Sequence, residues 1–281
     1  MSATTPRWAH GRAFTLIELL VVMGILLLLS VLTTVAVGGI ARDARLAAAQ
    51  NTVVTVLGNA RAIAIQDNKM VLVTFRVTWD PTKPTIDQRT EAVVAEWTGR
   101  TDFIPLNQGG PLLKDMFRPV PGQPPRQLAA GIKVAGPRTD FDQDNVWITQ
   151  PEFRNKETDR AFGVLFGPDG TVISRNPQAP ATLAHYAWLD ANGNGNQDTG
   201  NTGSPAFFAY DELVDEPNIN FVQFLVVFDD RDARERYDVA TWNGVTGGPN
   251  AENVRRANLS EYISALSDRI HFNRYSGVVQ R

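Results

Sequence analysis

Ala13-Phe14-Thr15-Leu16-Ile17-Glu18-Leu19-Leu20-Val21-Val22 opens an apolar run that continues to about Ile40. One carboxylate, Glu18, stands at its edge, and no other charged side chain follows before Arg42. Upstream, Met1 to Arg12 is short and polar, with Arg7 and Arg12 ahead of the run. An apolar segment of this length predicts a membrane-spanning helix over residues 14–40. The positive flank predicts that its amino-terminal end stays cytoplasmic. A carboxylate within such a helix costs roughly 2.5–3.5 kcal/mol on insertion scales. Two readings offset that cost. In one, the segment is a plain single-pass anchor and Glu18 reaches out to the headgroups. In the other, Glu18 pairs with a cation inside an assembly.

A secretory signal peptide is cut after its apolar region. Here the small residue Ala13 precedes that region, and Thr33-Thr34-Val35-Ala36 is a poor site. The stretch from Ala13 to Val22 closely resembles the class III leader of type IV pilins and type II secretion pseudopilins. That resemblance implies a leader of residues 1–13, cut between Ala13 and Phe14 by prepilin peptidase on the cytoplasmic face, then methylation of the new amino terminus. It puts Glu18 at the fifth mature position. Ala13 departs from the Gly usual before the cut, whereas a cut after Gly11 would put Glu18 seventh. Cleavage creates a cationic amine at Phe14. In a packed helical filament, the amine of one subunit pairs with Glu18 of its neighbour and two costly charges neutralise each other.

Beyond Ile40 the composition turns to Ala41-Arg42-Asp43-Ala44-Arg45. Leu46, Ala49, Val53, Val56, Ala60 and Ile63 then recur at three- and four-residue steps, one apolar face of an amphipathic helix over residues 41–66. The helix is expected to end near Asp67-Asn68, with Gly38-Gly39 its weakest point. The remainder, residues 67–281, reads as a β-rich head with long loops. Val71, Val73, Phe75, Val77 and Trp79 alternate with Leu72, Thr74, Arg76 and Thr78, which predicts a half-buried strand ended by Asp80-Pro81. Residues 92–98 predict its return strand, and the Pro- and Gly-rich stretch 99–125 predicts irregular chain. Further strands are expected near residues 132–134, 145–148, 161–166 and 171–174. Gly167-Pro168-Asp169-Gly170 is a tight turn. Residues 220–228 predict one central strand, with residues 236–241 pairing to it. Leu259, Ile263, Leu266 and Ile270 predict a short amphipathic helix.

The fold class expected is α+β, pilin-like: a long amino-terminal helix packed on a mainly antiparallel sheet. Asn59-Ala60-Arg61-Ala62-Ile63-Ala64, the strand Val71-Leu72-Val73-Thr74-Phe75 and the turn Phe166-Gly167-Pro168-Asp169-Gly170 resemble the H-type minor pseudopilins. The same residues also suit an ordinary helix end and an ordinary hairpin. The long loops and the chain after Asn176 depart from that family's compact head.

The chain has 281 residues and no Cys, which excludes disulfides, thiolate metal sites and a Cys nucleophile. Its net charge of −3 becomes −5 once Arg7 and Arg12 leave with the leader, so nucleic acid is a poor partner. Of three His, His10 lies in the leader, and His185 and His271 show no metal-ligand spacing. Phosphate-binding and nucleophile-elbow motifs are absent, and no catalytic residue is expected. Asp229-Asp230 reads as a pair of solvated turn residues. One loop carries ligand chemistry. Asp190-Ala191-Asn192-Gly193-Asn194-Gly195-Asn196-Gln197-Asp198 sets oxygen-bearing side chains on alternate residues, with Gly at the sixth place. This is the first half of an EF-hand-like loop and predicts calcium held by Asp190, Asn192, Asn194, Asn196 and Asp198. The twelfth position, normally Glu, is Asn201, so Glu212 or Asp215 would have to fold back. The same composition also suits a ligand-free Asn/Gly loop.

The function expected is a non-enzymatic minor pseudopilin of a type II secretion filament. It would sit in the inner membrane with its head periplasmic, contacting other pilin-like subunits through the helix and a secreted protein substrate through the head. The alternatives are a minor pilin of a type IV pilus, serving adhesion or DNA uptake, and a single-pass anchored binding domain.

Overall fold

The computed structural model describes residues 15–78, 89–105, 112–137, 147–149, 161–174, 184–197, 216, 218–236, 249–273 and 276–280. The chain divides into two units, residues 1–44 and 45–281. Helix α1, Leu16–Asp67, contributes to both and is helical through Gly38 and Gly39.

In the first unit, α1 is apolar on every side from Leu19 to Leu29. Every large apolar residue from Leu16 to Leu29 is exposed, from 48% at Val22 to 80% at Leu16. A helix that is greasy all round has no water-facing stripe and requires an apolar surrounding. Among the described residues no helix is long and apolar enough to cross a membrane. The side chains of residues 32–38, which extend the apolar run, lie outside the description.

In the second unit, α1 buries Ala49, Val53, Val56, Leu57, Ala60 and Ala64, with Leu46 and Ile63 half-buried at the margin. Its end is a left-handed cap. Asn68 has φ of 52°, and the Lys69 N–H donates to the Ala64 carbonyl at 3.2 Å. Asn tolerates that conformation better than most residues, so the predicted stop at Asp67-Asn68 has a physical cause.

The head departs from a simple antiparallel sheet. Strand β1, Val71–Thr78, pairs antiparallel with β2, Arg89–Ile104, and β2 with β3, Leu112–Pro119. The short β4, Arg126–Gln127, adds to β2. From β3 the pairing continues parallel to β9, Ala184–Leu189, then antiparallel to β10, Ile219–Phe221. Strand β10 runs parallel to β7, Ala161–Phe166, which returns antiparallel to β1 and closes a six-strand ring. Strand β8, Val172–Ile173, hangs on β7. Leu72, Val93, Ala95, Phe117, Leu189, Ile219, Phe221 and Leu165 form one buried cluster drawn from all six strands. Side chains thus fill the ring, as in other small barrels.

A second, antiparallel sheet contains β5, Ile132–Pro137; β6, Trp147–Thr149; β11, Phe224–Asp229; β12, Arg269–Phe272; and β13, Val279–Gln280, in the order β13-β12-β11-β5-β6. One face supplies Ile132, Val134, Leu225, Val227 and Ile270 to the cluster that also holds the α1 stripe and Val71, Val73 and Phe75. The other face, with Ala135, Val226 and Phe228, lies under Leu259, Tyr262 and Ile263 of a helix at Pro249–Leu266.

Several expectations change. Strand β1 is buried on both faces rather than half-buried, because the α1 cluster covers one face and the ring interior the other. The stretch 99–125 is not irregular throughout: β2 runs on to Ile104, and β3 lies within it. Residues 220–228 are not one strand. The chain leaves the ring at Phe221 and enters the second sheet at Phe224. Arg236 ends a short helix α2, Asp230–Arg236, rather than starting a strand. The helix Pro249–Leu266, α3, buries Leu259 and Ile263, but Leu266 is exposed and Ile270 belongs to β12. Trp79, Asp80 and Pro81 and residues 237–241 lie outside the described residues.

Candidate functional site

Thr15-Leu16-Ile17-Glu18 begins α1 with a reciprocal cap. The Thr15 backbone N–H and hydroxyl donate to Glu18 Oε2 at 2.9 and 2.8 Å, and the Glu18 N–H approaches Thr15 Oγ1 at 3.3 Å. This is a capping box, which satisfies amide donors that have no partner within the helix. The Thr-x-x-Glu spacing announces it in the sequence, yet the reading of Glu18 as an assembly charge passed over it. Both contacts fall on one carboxylate oxygen. Ala13 and Phe14, the expected cleavage pair, lie outside the described residues.

The two stretches that carry the H-type resemblance meet in space. Arg61 Nε donates to the Gly170 carbonyl at 3.1 Å. Gly170 closes the predicted turn with its N–H on the Gly167 carbonyl at 2.8 Å and a φ of 76°. Asp169 accepts from the Thr171 N–H and hydroxyl at 3.0 and 2.7 Å, which holds its carboxyl below the ordinary carboxylate range.

The loop after β9 is built around Asp190. That residue is fully buried. Its Oδ2 meets Arg118 Nη2 at 2.9 Å and accepts the Gly195 N–H at 3.2 Å. Its Oδ1 is buried and has no hydrogen-bond partner among the described residues. Asn192 Oδ1 accepts the Asn194 N–H at 2.9 Å, and Asn194 Oδ1 accepts the Asn196 N–H at 2.7 Å. Asn192, Asn194 and Asn196 are exposed, and Asp198, Asn201, Glu212 and Asp215 lie outside the described residues. Glu216 is the carboxylate that sequence spacing missed. It is 1% exposed, and its Oε1 accepts the N–H of Ala191, next to Asp190, at 2.8 Å. Gln197 Nε2 ties the loop to the Glu216 carbonyl at 2.7 Å and to Asn218 Oδ1 at 3.1 Å. Among the described residues no group of three or more His, Cys, Asp or Glu is disposed to hold a metal.

The two histidines of the head lie in different sheets. His185 Nε2 sits 2.8 Å from Asp115 Oδ2, and Thr101 donates to Asp115 Oδ1 at 2.6 Å. These contacts link β9, β3 and β2. His271, in β12, lies against Phe224 with ring centroids 5.4 Å apart.

Asp229 and Asp230 are buried, not solvated. Asp229 Oδ1 caps α2 by accepting the Arg231 N–H at 2.9 Å. Asp230 Oδ2 meets Lys133 Nζ at 3.3 Å and Arg234 Nε at 3.0 Å. Burial pushes the Asp230 carboxyl up and the Lys133 ammonium down, and each partner's charge opposes the other's shift.

Residues 8–40 match the family described as the prokaryotic N-terminal methylation motif. Nothing among curated proteins matches the chain. Nothing among solved structures matches it either. The matched segment holds Ala13, Phe14, the capping box and the all-round apolar part of α1. The chain therefore carries the class III leader motif of pilin-like precursors, which points to prepilin peptidase processing and assembly with pilin-like subunits.

Proposed function

We propose that the chain is a non-enzymatic minor pseudopilin of H type, working in a type II secretion filament. The precursor is held in the inner membrane by the apolar part of α1, with its head in the periplasm. Prepilin peptidase cuts between Ala13 and Phe14 and methylates the new amine. The observation that carries this reading is the coincidence, within residues 8–40, of the methylation motif with an acid-capped helix exposing apolar side chains all round. Such a surface is unstable in water and suits first a bilayer, then a bundle of identical helices. The Arg61–Gly170 hydrogen bond supports the subtype, since it joins the two stretches that resemble H-type subunits.

Mass spectrometry of the mature amino terminus tests the reading. The expected species starts at an N-methylated Phe14 in cells with the peptidase and keeps Met1 in cells without it. A chain that retains Met1 in both overturns it. Pull-down with secretion-filament subunits then tests the assignment to a secretion machine; capture only by pilus subunits assigns it to a pilus.

A further inference from the structure

We infer that the loop 190–197, closed by Glu216, is a calcium site. The argument begins with Asp190 Oδ1. A carboxyl oxygen buried with no partner among the described residues carries the penalty of its lost hydration. The other oxygen of the same carboxylate takes the Gly195 N–H, so the group is turned into the loop rather than toward bulk water. A cation coordinated by Oδ1 removes the penalty.

The surrounding groups fit a hard, oxygen-seeking ion. Asp190 occupies the first position of an EF-hand-like loop, and Asn192 and Asn194 the third and fifth. The side-chain oxygens of Asn192 and Asn194 accept the N–H groups two residues on, and an amide oxygen is a neutral ligand of the kind calcium takes. Gly193 and Gly195 supply the left-handed φ values, 77° and 73°, that curl the chain round a centre. The acid normally found at the twelfth position comes instead from Glu216, held on the Ala191 N–H beside Asp190. The donor set is carboxylate and amide oxygen, without sulfur or imidazole, which disfavours zinc. Its uneven spacing suits calcium better than magnesium, which demands a near-ideal octahedron.

Three cations temper the affinity. Arg118 shares Asp190, Arg100 Nη1 donates to the Gly195 carbonyl at 2.5 Å, and Lys114 Nζ donates to Gln197 Oε1 at 2.7 Å. A Kd of about 10⁻⁴–10⁻³ M, the range of extracellular calcium modules, is expected.

The test uses the full chain in detergent micelles, stripped with EGTA and titrated with calcium chloride or magnesium chloride. Calorimetry should register saturable calcium binding. The melting temperature should rise about 3–6 °C at calcium tenfold above Kd, with a much smaller rise for magnesium. N192A, at an exposed position, and E216Q, which keeps an acceptor for the Ala191 N–H, should each weaken binding about tenfold. Both should melt within about 2 °C of the parent without calcium. Three results would overturn the site: no binding heat at 20 mM calcium, an equal response to magnesium, or unchanged calcium affinity in both variants.

Discussion

Replacing Glu18 and Thr15 separately distinguishes an assembly charge from a helix cap. E18Q keeps an oxygen for the Thr15 N–H and hydroxyl, so the cap persists while the charge is lost. T15V removes the hydroxyl, with its 2.8 Å bond to Glu18, and leaves the carboxylate in place. Loss of a cap of this kind costs about 0.5–2 kcal/mol of helix stability. If Glu18 neutralises the Phe14 amine of a neighbouring subunit, E18Q leaves an uncompensated ammonium in an apolar core. The penalty is then about 2.5–3.5 kcal/mol on the insertion scales, or roughly 60- to 300-fold in incorporation. The assay is co-expression of the full chain with its partner subunits and peptidase, followed by crosslinking and quantification of the incorporated fraction. E18Q should lose incorporation by that factor while inserting and being cleaved normally, and T15V should lose no more than about thirtyfold. If T15V is impaired as much as E18Q, or E18Q incorporates normally, Glu18 is a cap and the charge-pairing argument fails.

In the head, K133M should destabilise the fold by about 3 kcal/mol at neutral pH, because it strands a buried Asp230 carboxylate. Arg234 remains on the same oxygen and keeps the loss at the low end of the usual range. The deficit should narrow as pH falls. Without Lys133 the folded-state pKa of Asp230 rises further above 3.8, so the folded variant takes up a proton before the unfolded chain does. Thermal melts of both proteins between neutral pH and pH 4 check this, and a pH-independent gap would contradict it. G277A should cost about 2 kcal/mol or more. Gly277 has φ of 64°, and an added Cβ would collide with the Gly170 carbonyl oxygen that Arg61 also contacts. Urea unfolding of the variant measures the loss.

The helix was the most legible element. Its apolar steps from Leu46 to Ile63 and its Asn68 stop are local signals, and both correspond to physical features of α1. The β1–β2 hairpin was equally readable from alternation. What escaped depends on contacts distant in sequence. Nothing in Val71–Phe75 discloses that a second apolar layer waits on the far side, because that layer is the interior of a ring closed by β9, β10 and β7. The apolar stretch 220–228 hides a change of sheet at Val222-Gln223, since hydrophobic pattern is blind to which neighbour a strand chooses. Asp229-Asp230 looked like a solvated turn because its counter-charge, Lys133, lies nearly a hundred positions earlier. The same limit applied to the loop: alternate oxygens marked Asp190, Asn192, Asn194, Asn196 and Asp198, but Glu216, which accepts the Ala191 N–H, lies beyond a stretch that spacing cannot bridge.

Ring closure has a consequence for how copies of this chain meet. An open sheet offers its outermost strand as a template on which another chain can lay a strand of its own. Strands β1, β2, β3, β9, β10 and β7 each have a hydrogen-bonded neighbour on both sides, so among the described residues none of the six is an outermost strand. Among the described residues the outermost strands are β4 and β8, which hang on the ring, and β13 and β6 of the smaller sheet, and each is only two or three residues long. Heads crowded side by side thus have little means of fusing through their backbones, and contact between copies is left to side chains and to α1.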